Sequence, residues 1–259
     1  MEVFLHVYLF LVGAVLGSFY NVVGLRVPKG MSIVKPRSHC PNCGNTLTWM
    51  ELIPVISYII QKGRCRNCKI SFSARYPFFE FMTACLFTIS PWMVGWSKEL
   101  LVALVFISLL VIITVSDLET MLIPDKVLLF FLVLIVILRV VEPLSPWWDS
   151  LVGAGFGFVL FLLLAIVSKG GMGGGDIKLM GVIGLVLGFQ GVLLTVFLSS
   201  FIGAVFGVVA IAMKKAKRKN PIPFGPFIAM GALISYFYHE EIFHWYINVF
   251  MHGGFVWGL

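Results

Sequence analysis

The sequence predicts an all-α polytopic membrane protein with about eight transmembrane helices and one small cytoplasmic loop domain. Three observations predict it. Of 259 residues, 59% are hydrophobic and only 12% charged, against about 25% charged in a soluble domain. Eight apolar runs approach the roughly 20 residues needed to span a bilayer. Lys and Arg concentrate in alternate connections, as the positive-inside rule requires.

The first run, Val3 to Leu25, follows only Glu2. It lacks the basic flank and small-residue cleavage site of a signal peptide, so residues 1–25 read as a retained membrane helix. Further runs cover residues 77–94, 100–116, 127–142, 150–168, 178–190, 192–213 and 224–239. The run at 178–190 is short and Gly-rich, so it must borrow flanking residues or be covered by neighbours. Residues 76–239 therefore form a seven-helix membrane domain, and residues 26–75 a loop domain between it and the first helix. The tail, 240–259, is aromatic and Gly-containing, and is expected on the outer side or at the interface. No internal repeat is evident.

Charge orients these runs. Residues 26–75 hold nine Lys or Arg and a single acid, Glu51, and the connection 214–220, "KKAKRKN", holds five more. With the N-terminus outside, eight alternating spans place 17 of the 19 Lys and Arg on the cytoplasmic side, leaving only Lys98 and Arg139 outside. Both termini then lie outside. The net charge of +7 belongs to these connections rather than to nucleic-acid binding, for which no motif is present.

The loop domain contains "CPNCGNTLTWMELIPVISYIIQKGRCRNC". Cys40, Cys43, Cys65 and Cys68 form two C-x2-C knuckles 21 residues apart, a pattern that supplies four thiolates to a tetrahedral metal. Zn2+ in a structural role is expected, because four thiolates leave no open coordination position for catalysis. Two disulfides are the competing reading, disfavoured in a reducing compartment; iron is another. Cys85 reads as an ordinary buried residue, and His39 as a bystander.

The chain has only four aspartates, so elimination is possible. Asp149, in "PWWDS", is expected to cap the fifth helix, and Asp125, after Pro124, to cap the fourth. Asp117 ends the third run in "TVSDLETMLIPD", and Asp176 follows glycines in "GGMGGGDIKL". An acid at membrane depth is costly and points to function. For Asp176 a helix cap competes with that reading. As a pair, two neighbouring carboxylates share a proton, so one activates water while the other polarises a carbonyl. The five histidines are scattered and no H-E-x-x-H occurs.

Together, "GSFYNVVGLRVP" (17–28), the four-cysteine block, "SARYPFFE" (73–80), "DLETMLIPD" (117–125), "GMGGGDIKL" (171–179) and "PFGPF" (223–227) resemble the type IV prepilin peptidases. These are multi-pass enzymes of the bacterial cytoplasmic (inner) membrane. The resemblance implies a Gly-x-Gly-Asp aspartic protease that removes the basic leader of type IV prepilins or pseudopilins. Cleavage would fall after a glycine at the cytoplasmic membrane face. It further implies N-methylation of the new N-terminal residue with S-adenosylmethionine. Asp117 and Asp176 match the catalytic pair, Gly173 and Gly175 the motif glycines, and the four cysteines the zinc ligands.

Asn21, Arg75 and Glu80 are candidate contacts for methyl transfer, though Glu80 could instead pair with Arg75 one helical turn away. Lys126 or Lys178 could meet an acid near the pilin N-terminus, or simply reach lipid headgroups. "GAGFG" (153–157) reads as helix packing, not a cofactor loop. Expected partners are prepilin substrates and membrane lipid. The competing functions are a metalloprotease and a non-enzymatic zinc-ribbon channel or scaffold.

Overall fold

The computed structural model describes residues 2–168, 172–213 and 222–251. The basic connection 214–220 and the end of the tail lie outside them. The architecture is all-helical. A long helix, α1 (Glu2–Arg26), leads into a loop with a short α2 (Ile56–Ile60). Helices α3 (Arg75–Val94), α4 (Glu99–Thr120), α5 (Asp125–Val141), α6 (Asp149–Val167), α7 (Gly174–Ala212) and α8 (Gly225–Met251) follow.

Five of these, α1, α3, α4, α6 and α7, are long and apolar enough to cross a membrane. Helix α5, with 17 residues, and α8 pack in the same bundle against α4 and α7. The expected sixth and seventh spans are one 39-residue element. Its helical geometry breaks at Gly188, whose φ of 68° is open to glycine but strained for other residues. No connecting loop separates the two halves.

Helix α4 is the centre of the bundle. It is apolar on all sides and buried along most of its length, from Leu100 to Asp117, as expected of a helix enclosed by others. Small residues set the closest approaches. A Cβ on Gly184 would lie 2.2 Å from the Gly153 carbonyl oxygen, and one on Gly157 would lie 2.7 Å from that of Met180. The "GAGFG" stretch is thus a helix-packing face of α6 against α7.

The kink at Gly188 frees backbone groups inside the bundle, and buried side chains take them up. Arg139 Nη2 donates to the Val186 carbonyl at 2.7 Å, while Asp149 Oδ1 accepts from the Phe189 amide at 3.1 Å. Asp149 therefore serves the second half of α7; no side chain caps the start of α6. Its sequence neighbours marked a helix start but could not show that a broken helix lay beside it. Arg139 is buried and grips Glu99 with two hydrogen bonds of 2.7 and 3.0 Å, and the Tyr236 hydroxyl donates to the same carboxylate. This network ties α4, α5, α7 and α8 together at the end remote from Asp117.

Candidate active site and metal centre

Asp117 lies in the last turn of α4. That turn is finished by Met121 in the left-handed conformation, φ 54°, its amide bonded to the Asp117 carbonyl at 2.9 Å. The Ser116 hydroxyl donates to the Leu122 carbonyl at 2.6 Å and fixes the turn that follows. Asp117 is buried, and its Oδ2 accepts a 2.7 Å hydrogen bond from the Gly225 amide at the start of α8. A Cβ at position 225 would sit 2.8 Å from that oxygen. Residue 225 must therefore be glycine for the amide to come this close.

Asp176, half-buried, is in the first turn of α7. Its Oδ2 accepts from the Gly173 amide at 3.3 Å. Gly175 packs the same turn onto the 121–124 connection: a Cβ there would lie 2.7 Å from Ile123 Cβ. The close packing brings Asp176 within electrostatic reach of Asp117. Among the described residues, no hydrogen bond reaches Oδ1 of either acid. Each carboxylate is thus anchored through one oxygen and unengaged at the other.

Other acids are otherwise employed. Asp125 makes no cap hydrogen bond; its carboxylate holds Lys178 Nζ at 2.7 and 2.8 Å, tying α5 to α7. The negative charge still suits the positive end of α5. Lys126 is exposed on the same turn. Arg75 faces Glu119 at 3.7 Å, not Glu80. Glu80 is buried and accepts from the Val55 amide at 2.8 Å. Asn21, also buried, donates to the Tyr76 carbonyl at 3.1 Å and joins α1 to α3. Between α1, α3 and the loop lies a cavity of about 360 Å³ bounded by Asn21, Tyr58, Tyr76 and Glu80.

The loop folds around its cysteines as two matching knuckles. Cys40 and Cys65 amides donate to Asn45 and Ile70, and the Gly44 and Lys69 amides return to the Cys40 and Cys65 carbonyls. Isolated antiparallel bridges, His39 to Thr46 and Arg64 to Ser71, close both. This local duplication went unseen in the sequence, because only the cysteines and one asparagine, Asn42 in the first knuckle and Asn67 in the second, are identical across the two C-x2-C turns. All four Sγ atoms lie within 4.8 Å of one another, with Cys40–Cys68 at 3.7 Å and Cys43–Cys65 at 3.9 Å. A tetrahedral zinc with Zn–S bonds of about 2.3 Å needs sulfurs about 3.8 Å apart, so the donor set fits. The Ile70 amide, with Asn42, pulls the Cys68 thiol down to about 6, toward the thiolate that a metal requires. None of the cysteines is in a disulfide. His39 Nδ1 bonds the Arg37 carbonyl and stands apart from the cluster, and Cys85 is half-buried rather than buried in α3.

Sequence reasoning missed Gly225 as the anchor of Asp117. The signal was present in "PFGPF": a glycine between prolines, opening a helix, carries a free amide. It also missed Glu80 as a support for the loop, since its partner is a backbone amide 25 residues earlier.

A helical membrane bundle holding two carboxylates on adjoining helix ends, with a separate four-thiolate loop, is an arrangement compatible with the class of membrane aspartic proteases. Sequence comparison agrees. The family model of the Bacterial Peptidase A24 N-terminal domain matches residues 11–94, and that of the Type IV leader peptidase family residues 104–208. The chain belongs to the type IV leader peptidase family, whose members are aspartic proteases. A prepilin leader peptidase/N-methyltransferase of Bacillus subtilis is 44% identical over 93% of this chain and 97% of its own. Proteins of the same name from Aeromonas salmonicida, 33% identical over 93% and 94%, and Pseudomonas aeruginosa, 32% over 92% of each, are also similar. No solved structure matches the chain.

Proposed function

We propose that the protein cleaves the basic leader from type IV prepilins or pseudopilins, after a glycine, at the cytoplasmic face of the bacterial inner membrane. Asp117 and Asp176 are the catalytic pair. The observation that carries this reading is their shared design: each carboxylate is anchored at Oδ2 by a backbone amide and left open at Oδ1. With one proton shared between them, the ionised acid takes a proton from water, and the water attacks the scissile carbonyl. The protonated acid donates to the carbonyl oxygen. Collapse of the tetrahedral intermediate returns a proton to the departing amine. Gly173 and Gly175 leave room for a substrate backbone beside Asp176.

The charge distribution supports N- and C-termini outside and residues 26–75 in the cytoplasm. Zinc on the four cysteines would cross-link a loop that has little apolar core, which disfavours a metalloprotease. The relatives' second activity would follow cleavage here too. S-adenosylmethionine supplies an electrophilic methyl group when bound, and the cavity bounded by Asn21, Tyr58, Tyr76 and Glu80 has room for it. For the acid near the mature pilin N-terminus, Lys126 is the better candidate, because Lys178 is already paired with Asp125.

The test is co-expression of a prepilin with Asp117→Asn or Asp176→Asn, read by mass spectrometry of the pilin N-terminus. Wild type yields a cleaved, methylated terminus and neither variant cleaves. Cleavage by a well-folded variant would refute the assignment and favour a scaffold.

A further inference from the structure

The four-cysteine loop carries an apolar ridge that no other described residue covers. Trp49, Met50, Leu52, Ile56, Ile59 and Ile60 are all exposed, Trp49 at 69% and both Ile59 and Ile60 at 67%. Isolated exposed apolar residues are ordinary, but a contiguous ridge marks a contact surface.

The ridge is held low against the helices, not out beyond their ends. Val55, between Leu52 and Ile56, donates its amide to Glu80 Oε2 at 2.8 Å. Glu80 is the sixth residue of α3, so at about 1.5 Å per residue it lies roughly 7 Å inside that helix's end. Gly17, where an added Cβ would lie 2.9 Å from Glu80 Cα, is about 13 Å inside the end of α1, which finishes at Arg26. Helix α3 has 20 residues and is about 30 Å long, matching the hydrocarbon thickness of about 30 Å. With α3 spanning the hydrocarbon end to end, the Val55 amide would lie just below its boundary.

Two further features suit that depth. Non-helical backbone inside a membrane is tolerated only where its polar groups are satisfied by protein. Val55 is non-helical, with φ 61°, and Glu80 takes its amide. The ridge is also continuous in kind with the outward side chains Val15 and Phe19 of α1 and Phe78 and Phe81 of α3, all exposed. Just beyond it, Lys62, Arg64, Arg66 and Lys69 are exposed, a cationic band where anionic headgroups would lie.

We propose that Trp49–Ile60 is a membrane-seated segment, its apolar ridge sunk into the headgroup–hydrocarbon boundary of an anionic bilayer. The loop is then fastened to lipid as well as to α1 and α3.

Full-length protein is reconstituted in phosphatidylcholine–phosphatidylglycerol vesicles whose acyl chains carry bromine near the carbonyl end or near the methyl end. The fluorescence difference between wild type and Trp49→Phe isolates Trp49. Loss of most of this component is expected with bromine near the carbonyl end, with less loss near the methyl end and little quenching by acrylamide. An Ile59→Trp change in the Trp49→Phe background should behave alike, and metal content reports that both variants fold. Ready acrylamide quenching with no effect of bromine at either position overturns the proposal. So does shielding that appears only when a prepilin is added or when protein concentration is raised, which would make the ridge a protein contact.

Discussion

Replacing Gly225 with alanine perturbs the proposed active site through one methyl group. The new Cβ would lie 2.8 Å from Asp117 Oδ2, 3.1 Å from its Cβ and 3.2 Å from its Cγ. Ordinary contact begins near 3.4 Å, so the carboxylate must retreat by about half an ångström or more. In doing so it weakens its 2.7 Å bond from the Gly225 amide. A hydrogen bond to a charged group contributes about 1.5–3 kcal/mol. Alanine is the better helix former by up to about 1 kcal/mol, so the net loss of stability should be about 1 kcal/mol. The catalytic effect is larger, because a misplacement of about 1 Å costs about 100-fold in rate. We expect kcat to fall about 10- to 100-fold with KM little changed, in steady-state cleavage of a purified prepilin in detergent. Gly231→Ala is the control: its Cβ would meet backbone atoms of Ser199 and Thr195 at 2.9 Å and no atom of either acid within 4 Å, six residues along α8 from Gly225. It should lower thermal stability yet leave kcat per folded molecule unchanged. Wild-type kcat in Gly225→Ala would refute the anchoring of Asp117.

Lys69 occupies, at φ 61°, the left-handed position that Gly44 fills at φ 69° in the other knuckle. Lys69→Gly should therefore stabilise the metal-bound loop by about 0.5–1 kcal/mol, read by denaturant titration of metal release. Arg139→Met leaves the Glu99 carboxylate without its buried partner and should destabilise by about 3–5 kcal/mol, most of it recovered in Arg139→Met/Glu99→Gln; thermal unfolding in detergent measures both. Changing Cys40 and Cys65 to Ser should abolish metal binding, measured by elemental analysis, and expose the loop to protease, while folded molecules still cleave prepilin.

Much of this was legible because membranes restrict the options. Apolar runs located the helices, since backbone polar groups in lipid must be bonded internally, and the four cysteines located their knuckles. What escaped were effects that join distant stretches by backbone atoms. Runs 178–190 and 192–213 read as two helices, and nothing in the composition around Gly188 says that no loop separates them. Asp149 and Asp125 sit where caps belong, yet one accepts from Phe189 and the other holds Lys178. Glu80 has a basic residue one helical turn away in Arg75, but the amide of Val55 takes it instead. In each case sequence spacing supplied a local partner, and packing supplied a distant one with better geometry.

The four aspartates show how their engagements bear on the proposed catalytic pair. Asp125, Asp149 and Asp176 lie in first turns of helices, where an acid is cheap, whereas Asp117 is buried in the last turn of α4, where the helix dipole disfavours it, so position alone does not single out both members of the pair. Their engagements do. Asp149 is committed to a freed amide at the kink, and Asp125 to an ammonium. Asp117 and Asp176 have no cationic partner among the described residues, and each accepts a single amide hydrogen bond. Stability alone would favour neutralising two nearby acids with a lysine, and Lys178 is only two residues from Asp176 yet turned to Asp125. Two acids within electrostatic reach of one another and without a cation favour sharing a proton, which is the protonation state that the proposed aspartic proteolysis uses. The Asp125–Lys178 pair thus has a second consequence: it holds the Lys178 ammonium away from the proposed site. Asp125→Asn would release Lys178 toward Asp176, favouring two ionised carboxylates and lowering kcat. Lys178→Met in the same background should restore it, whereas unchanged activity in Asp125→Asn would show that the pair only fastens α5 to α7.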